Sequence, residues 1–183
     1  MAPERIAPLL ADLPNPRTTV AAGGLGPALG ARLRRPVAQL ICLCSVGAAV
    51  RLVAPYLADK ARDPGVVAVD EAGRFAVAVA GGHLGGANAW AEAVARRLGA
   101  TPVITTASDS AGLPAVDLLG REQGWRVAAP RAALRRAAAA LVNGEPVALV
   151  EADATWRPPA PPPANLHRLP GLEGLGAGQA VQV

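Results

Sequence analysis

The chain has 183 residues, a formal charge of +4 and a pI near 10.0; 51% of it is apolar, yet only 3% is aromatic. Such a length suits one α/β domain with an appendage, or two small domains, and is enough to bury a core. No basic run interleaved with aromatics supports nucleic-acid binding, and no apolar run reaches the roughly 18 residues of a membrane span. The start Met1-Ala2-Pro3-Glu4 lacks a basic segment followed by an apolar one, so a soluble cytoplasmic protein is expected. Arginine supplies nearly all the positive charge, Lys60 being the single lysine. The guanidinium fork suits carboxylate and phosphate, which points to a polyanionic small molecule; a plain compositional preference for arginine is the alternative. Alanine, valine and leucine dominate the apolar set and fit a mostly parallel sheet flanked by Ala-rich helices.

In chain order, residues 1–36 form a leader broken by Pro14, Pro16 and Gly23-Gly24, with short helices expected at Glu4 to Leu13 and Pro27 to Arg34 and a strand at Thr18 to Ala22. Val37 to Cys44 is apolar except for Gln39 and reads as a strand buried on both faces. Cys42 and Cys44 fall on one face of it as core residues rather than a disulfide or metal pair. Ser45-Val46-Gly47 turns the chain into a helix, Ala48 to Ala54, carrying Arg51, and puts a hydroxyl and a glycine where a ligand meets the carboxyl end of a strand. A polar loop from Asp59 to Pro64 follows, with Lys60 in it. Val66 to Val69 and Phe75 to Val79 flank Asp70-Glu71-Ala72-Gly73-Arg74, a hairpin signature, so an antiparallel hairpin is expected at or near one edge of the sheet.

The second strand of that hairpin runs into Ala80-Gly81-Gly82-His83-Leu84-Gly85-Gly86-Ala87-Asn88, and an Ala-rich helix continues to Gly99 with Trp90, Ala91, Val94, Ala95 and Leu98 on its apolar face. Glycines let the backbone turn tightly and approach a ligand, while the first turn of a helix offers N–H groups to an anion. The spacing is neither the dinucleotide fingerprint nor a Walker loop, and a plain strand-to-helix turn with a capping or solvated histidine is the alternative. Pro102 to Thr106 is the next strand; Thr105, Thr106, Ser108 and Asp109 at its exit could line a polar pocket, or Asp109 could cap the next helix. A short helix from Pro114 to Gly120, a strand Val127 to Ala129, a helix Pro130 to Val142 and a strand Val147 to Val150 complete the pattern. Residues 157–163 are a polyproline linker, and Asn165 to Gln179 reads as glycine-rich and irregular, with His167 solvated and Ala180 to Val183 starting a strand.

Taken together, Cys44-Ser45-Val46-Gly47-Ala48-Ala49-Val50-Arg51 with Ala54-Pro55, Asp59-Lys60, Asp63-Pro64, Val69-Asp70-Glu71, Gly82-His83-Leu84-Gly85-Gly86-Ala87-Asn88, Pro102-Val103-Ile104-Thr105-Thr106 and Asp109 resemble the CbiG family, the cobalt-precorrin-5A hydrolases of anaerobic cobalamin biosynthesis. The resemblance implies opening of the δ-lactone of cobalt-precorrin-5A and release of acetaldehyde, giving cobalt-precorrin-5B. It implies a site that includes His83 and Asp109; within it His83 is assigned as the catalytic general acid/base, since imidazole takes and gives a proton near neutral pH, and Asp109 as an orienting or second acid/base group. Ser45, Gly47, Arg51, Lys60, Gly82, Gly85, Gly86, Asn88, Thr105 and Thr106 are the substrate-binding set, facing the carboxylates of an anionic tetrapyrrole. No metal site or cofactor is expected, since cobalt arrives with the substrate. The domains expected are a leader at 1–36, a CbiG N-terminal-like α/β domain at 37–126, a middle-region-like βαβ unit at 127–157 and a linker and tail at 158–183. The family's usual C-terminal domain does not follow, so the chain is expected to be a fragment, one half of a split protein, or part of a fusion with another corrin-pathway enzyme. Two other readings stand beside hydrolysis: a non-catalytic corrinoid-binding module and a generic nucleotide-binding domain.

Overall fold

The computed structural model describes residues 3–11, 13, 39–60, 62–151, 155–157, 161–171 and 173. The strand expected at Thr18 to Ala22, the helix at Pro27 to Arg34 and the strand start at Ala180 lie outside them. Two compact units divide the chain, Met1–Thr105 and Thr106–Val183.

In the first unit, helix α1 (Pro3–Leu9) precedes strand β1 (Gln39–Leu43) and helix α2 (Val46–Val53). Strands β2 (Gly65–Val69) and β3 (Phe75–Ala80), helix α3 (Ala87–Leu98) and strand β4 (Thr101–Val103) follow. The strands form one sheet in the order β1-β2-β3-β4. β1 pairs parallel with β2 and β3 parallel with β4, while β2 and β3 are antiparallel. The expected hairpin is therefore present, and its strands take the two inner positions of the described sheet, each next to an edge strand. Burial explains this: all five residues of β2 are buried, so it needs a neighbour on each side and cover on both faces. Gly73, at φ 66°, closes the hairpin, its amide donating to Asp70 O at 2.8 Å.

Side-chain alternation along the strands splits the core in two. Ile41, Leu43, Val67, Val69, Ala76 and Ala78 meet Ala87, Ala91 and Val94 of α3 and Ile6 of α1. Val66, Leu40, Cys42 and Val79 meet Val53 and Leu52 of α2, with Tyr56 and Leu57 beyond it. The small residues of α3 let that helix lie close to the sheet.

The second unit holds the short helix α4 (Ala107–Ser110), a 3₁₀ turn at Val116–Leu118, helix α5 (Arg131–Val142) and two parallel strands, β5 (Val147–Val150) and β6 (Leu166–Leu169). Val116, Ala137, Leu141, Trp156 and Leu166 form its core. Since Val116 packs with Leu141 and Leu166, residues 106–126 belong to this unit, and the boundary falls at 105/106 where 126/127 was expected. No strand forms at Val127 to Ala129. β6, by contrast, lies within the stretch read as irregular: Asn165 Nδ2 donates to Leu141 O at 3.1 Å and Glu145 O at 2.8 Å, fixing the entry of β6 beside β5. His167 is exposed on that strand.

Candidate functional site

The glycine-rich turn joins β3 to α3. Gly81 and Gly86 take φ of 64° and 79°, a region closed to most side chains. The turn closes on its own helix: Gly86 N donates to His83 O at 2.9 Å, Ala87 N to Gly81 O at 3.0 Å and Asn88 N to Gly82 O at 3.1 Å. The first N–H groups of α3 are thus committed to the turn, which corrects the expectation that the helix presents them, and the Gly86 amide with them, to an anion. Among the described residues the Gly82 and Gly85 amides donate to no carbonyl of the turn. His83 is half-buried and Leu84, beside it, is 46% exposed. Asn88 is buried.

Strand polarity decides what surrounds this turn. Gln39 of β1 is paired with Gly65 of β2, and Val66 with Ala80 of β3, so the starts of β1 and β2 and the end of β3 share one end of the sheet. The turn packs down on that end. A Cβ built on Gly81 would lie 2.6 Å from Pro64 O, and one built on Gly85 would lie 2.8 Å from Gly65 N. Gln39 Nε2 donates to Gly85 O.

The loop before β2, which carries Lys60, is consequently a neighbour of the His83 turn. Asp63 organises it, its carboxylate accepting from Ala58 N at 3.0 Å and Asp59 N at 3.1 Å. Lys60 itself is exposed. A shallow hollow of about 280 Å³ opens here, lined by Tyr56, Asp59, Arg62, Asp63 and Pro64 among others. Pockets that enclose drug-sized ligands run about 300–1,000 Å³, so this hollow is too small to enclose a large ligand.

Ser45, Gly47 and Arg51 sit elsewhere. They follow the carboxyl end of β1, at the opposite end of the sheet from the His83 turn. Across the five residues of β1 that is a separation of about 16 Å. Ser45 Oγ accepts from Ala48 N at 3.3 Å and caps α2. The Arg51 guanidinium folds back to that same end, its Nη1 3.9 Å from a Cβ built on Gly47. The structure therefore unites Gly82, His83, Gly85, Gly86 and Asn88 with the Lys60 loop and leaves Ser45, Gly47 and Arg51 apart. The inversion at the hairpin is the reason, because it sends the carboxyl ends of β1 and β3 in opposite directions.

Thr105 ends the first unit, exposed and beyond the last residue of β4. Thr106, Ser108 and Asp109 belong to the second unit, where Thr106 Oγ1 donates to the Asp109 carboxylate across the first turn of α4. The catalytic pair expected from the sequence, His83 and Asp109, is thus divided between units. Both cysteine thiols are held above their ordinary value. Burial, aided by the adjacent Cys44, pushes the Cys42 thiol up to about 12, and burial raises Cys44 as well. Gln39 and Gly65 were not anticipated as site residues, although a single polar side chain inside an apolar strand is a signal that could have marked Gln39.

Residues 30–109 match the family profile described as cobalamin synthesis G N-terminal, and residues 114–168 the one described as cobalamin biosynthesis central region. Over these two regions the chain belongs to the CbiG family. The CbiG N-terminal match spans the His83 turn, Gln39 and Gly65. A protein from Priestia megaterium named cobalt-precorrin-5A hydrolase is 42% identical over 137 residues, covering 73% of this chain and 36% of that protein. One of the same name from Salmonella typhimurium LT2 is 41% identical over 110 residues, 60% of this chain and 31% of its own. The chain spans about a third of the length of these relatives. A crystal structure of a cobalamin biosynthesis protein G homolog from Sulfolobus solfataricus aligns with a TM-score of 0.49 at 19% identity, over 89% of this chain and 47% of that one.

Proposed function

We propose that this chain serves the hydrolysis of cobalt-precorrin-5A in cobalamin biosynthesis, opening the δ-lactone and releasing acetaldehyde to give cobalt-precorrin-5B. The supporting observation is the 42% identity over 137 residues to a relative bearing that enzyme name. The chemistry requires an activated water, a stabilised oxyanion and proton transfers. His83 is the group assigned to proton transfer, because imidazole takes and gives a proton near neutral pH. The Gly82 and Gly85 amides are the donors proposed for the developing oxyanion. Lys60, on the neighbouring loop, is proposed to meet a carboxylate arm of the macrocycle as a point charge, and exposed Leu84 to meet its apolar face. Cobalt enters with the substrate, and no resident cofactor is assigned.

Asp109 is given no step, its carboxylate being engaged by Thr106, and Ser45, Gly47 and Arg51 lie at the wrong end of the sheet for this role. The test is His83→Ala with cobalt-precorrin-5A. Turnover should fall by about 10²–10⁴-fold while substrate binding survives. Unchanged turnover would remove His83 from the mechanism. Binding without turnover in the unaltered chain would make it a corrinoid-binding module.

A further inference from the structure

We propose that Gln39 is a positioning residue for the His83 turn, its side-chain amide tying Gly85 to the first strand so that the imidazole is presented in one geometry. The proposal rests on the assignment of proton transfer to His83. Gln39 opens β1, and its side chain runs between two glycines to reach the turn. A Cβ on Gly65 would run into its Oε1, and one on Gly86 would lie 2.9 Å from its Nε2. Nε2 donates to Gly85 O, and the next amide along, Gly86 N, donates to His83 O at 2.9 Å. The backbone bonds already close the turn on α3; the Gln39 amide fixes that closed turn to the sheet.

Its other end argues against a role in packing alone. Gln39 Oε1 is buried and has no hydrogen-bond partner among the described residues. An unsatisfied buried acceptor is unfavourable, and a methionine of similar length would fill the same channel without it. What only the amide supplies here is the donor to Gly85. Because reacting groups lose rate steeply with small misplacement, a donor that holds the turn one residue from Gly86 and two from His83 acts on catalysis through geometry.

The test uses Gln39→Met, which keeps length and removes the donor, and Gln39→Glu, which keeps shape and can donate to Gly85 O only when protonated. Amide protection factors of residues 81–88 and the imidazole resonances of His83 are read first, together with kcat and KM for acetaldehyde release from cobalt-precorrin-5A. In Gln39→Met, protection in the turn should drop by about tenfold with β2 unaffected. kcat should fall by about tenfold or more with little change in KM. Gln39→Glu should behave like Gln39→Met at neutral pH and recover turn protection on acidification. Unchanged turn protection and His83 resonances in both variants would overturn the proposal, as would unchanged kcat in a folded variant. If the unaltered chain releases no acetaldehyde, the hydrolase reading fails by itself, and the protection factors and His83 resonances still decide the role of Gln39. Should Gln39→Met not fold, the acid recovery of Gln39→Glu decides it.

Discussion

Gly65 is where β1, β2 and the glycine-rich turn meet, and a single methyl group there tests that arrangement. A Cβ on Gly65 would collide with Gln39 Oε1 and Gly85 O and approach Ala87 N to 2.8 Å. The glutamine oxygen can swing aside, but the other two atoms are backbone and can yield only if the turn lifts off the sheet and the first turn of α3 shifts with it. Overpacking of this kind costs about 2–3 kcal/mol, which for a unit of this size lowers the melting temperature by about 8–20 °C. Gly99 is the control. It holds φ +65° with nothing within 4 Å of a Cβ, so Gly99→Ala meets only the left-handed backbone penalty of about 1 kcal/mol, or about 5 °C. Thermal unfolding of both variants by circular dichroism gives the comparison. Gly65→Ala should be the more destabilised although its backbone is not the left-handed one. A loss at Gly65 no larger than that at Gly99 would refute the packing of the turn on Gly65.

Three further outcomes follow from the geometry. Burial alone would raise the Asp70 carboxyl, but the amides of Phe75 at 2.8 Å and Arg74 at 2.7 Å, with the Arg74 guanidinium, hold it below its ordinary value. A depressed carboxylate stabilises the fold above its unfolded value of about 3.9 and loses that contribution as pH falls through its folded value, so Asp70→Asn should lower stability at pH 7 and flatten the acid side of a stability–pH profile. With its thiol near 12, Cys42 should react with iodoacetamide at pH 8 more than about a hundredfold slower in the native chain than in guanidinium, as read by mass spectrometry. In the second unit, Arg168 Nη2 lies 2.6 Å from Glu151 Oε2 while Glu151 Oε1 accepts from Trp156 N at 2.8 Å. Arg168→Met breaks this clasp and should cost about 1–2 kcal/mol in chemical denaturation, discounted for the partial exposure of the arginine.

Local patterns carried much of the fold. The apolar runs at β1, β2 and β3, the glycine at the hairpin and the periodicity of α3 and α5 each appear in the sequence because each answers a local physical demand. β6 did not, since four residues behind a proline-rich stretch, with His167 and Arg168 both exposed, show no alternation. Which strands lie inside the sheet is likewise a long-range fact. This governed the site. The Ser45 turn and the His83 turn look alike locally, each a strand leading into a helix through glycine, yet one inverted strand pairing sends them to opposite ends. The division of His83 from Asp109 has a similar origin, because the apolar contacts of Val116 with Leu141 and Leu166 draw the chain after Thr105 into the second unit.

The central claim is that this chain acts on cobalt-precorrin-5A, and acetaldehyde release from that compound by the purified 183-residue chain tests it most directly. The account predicts release that is lost in His83→Ala with binding retained. Absence of release by the unaltered chain, with or without binding, would contradict it.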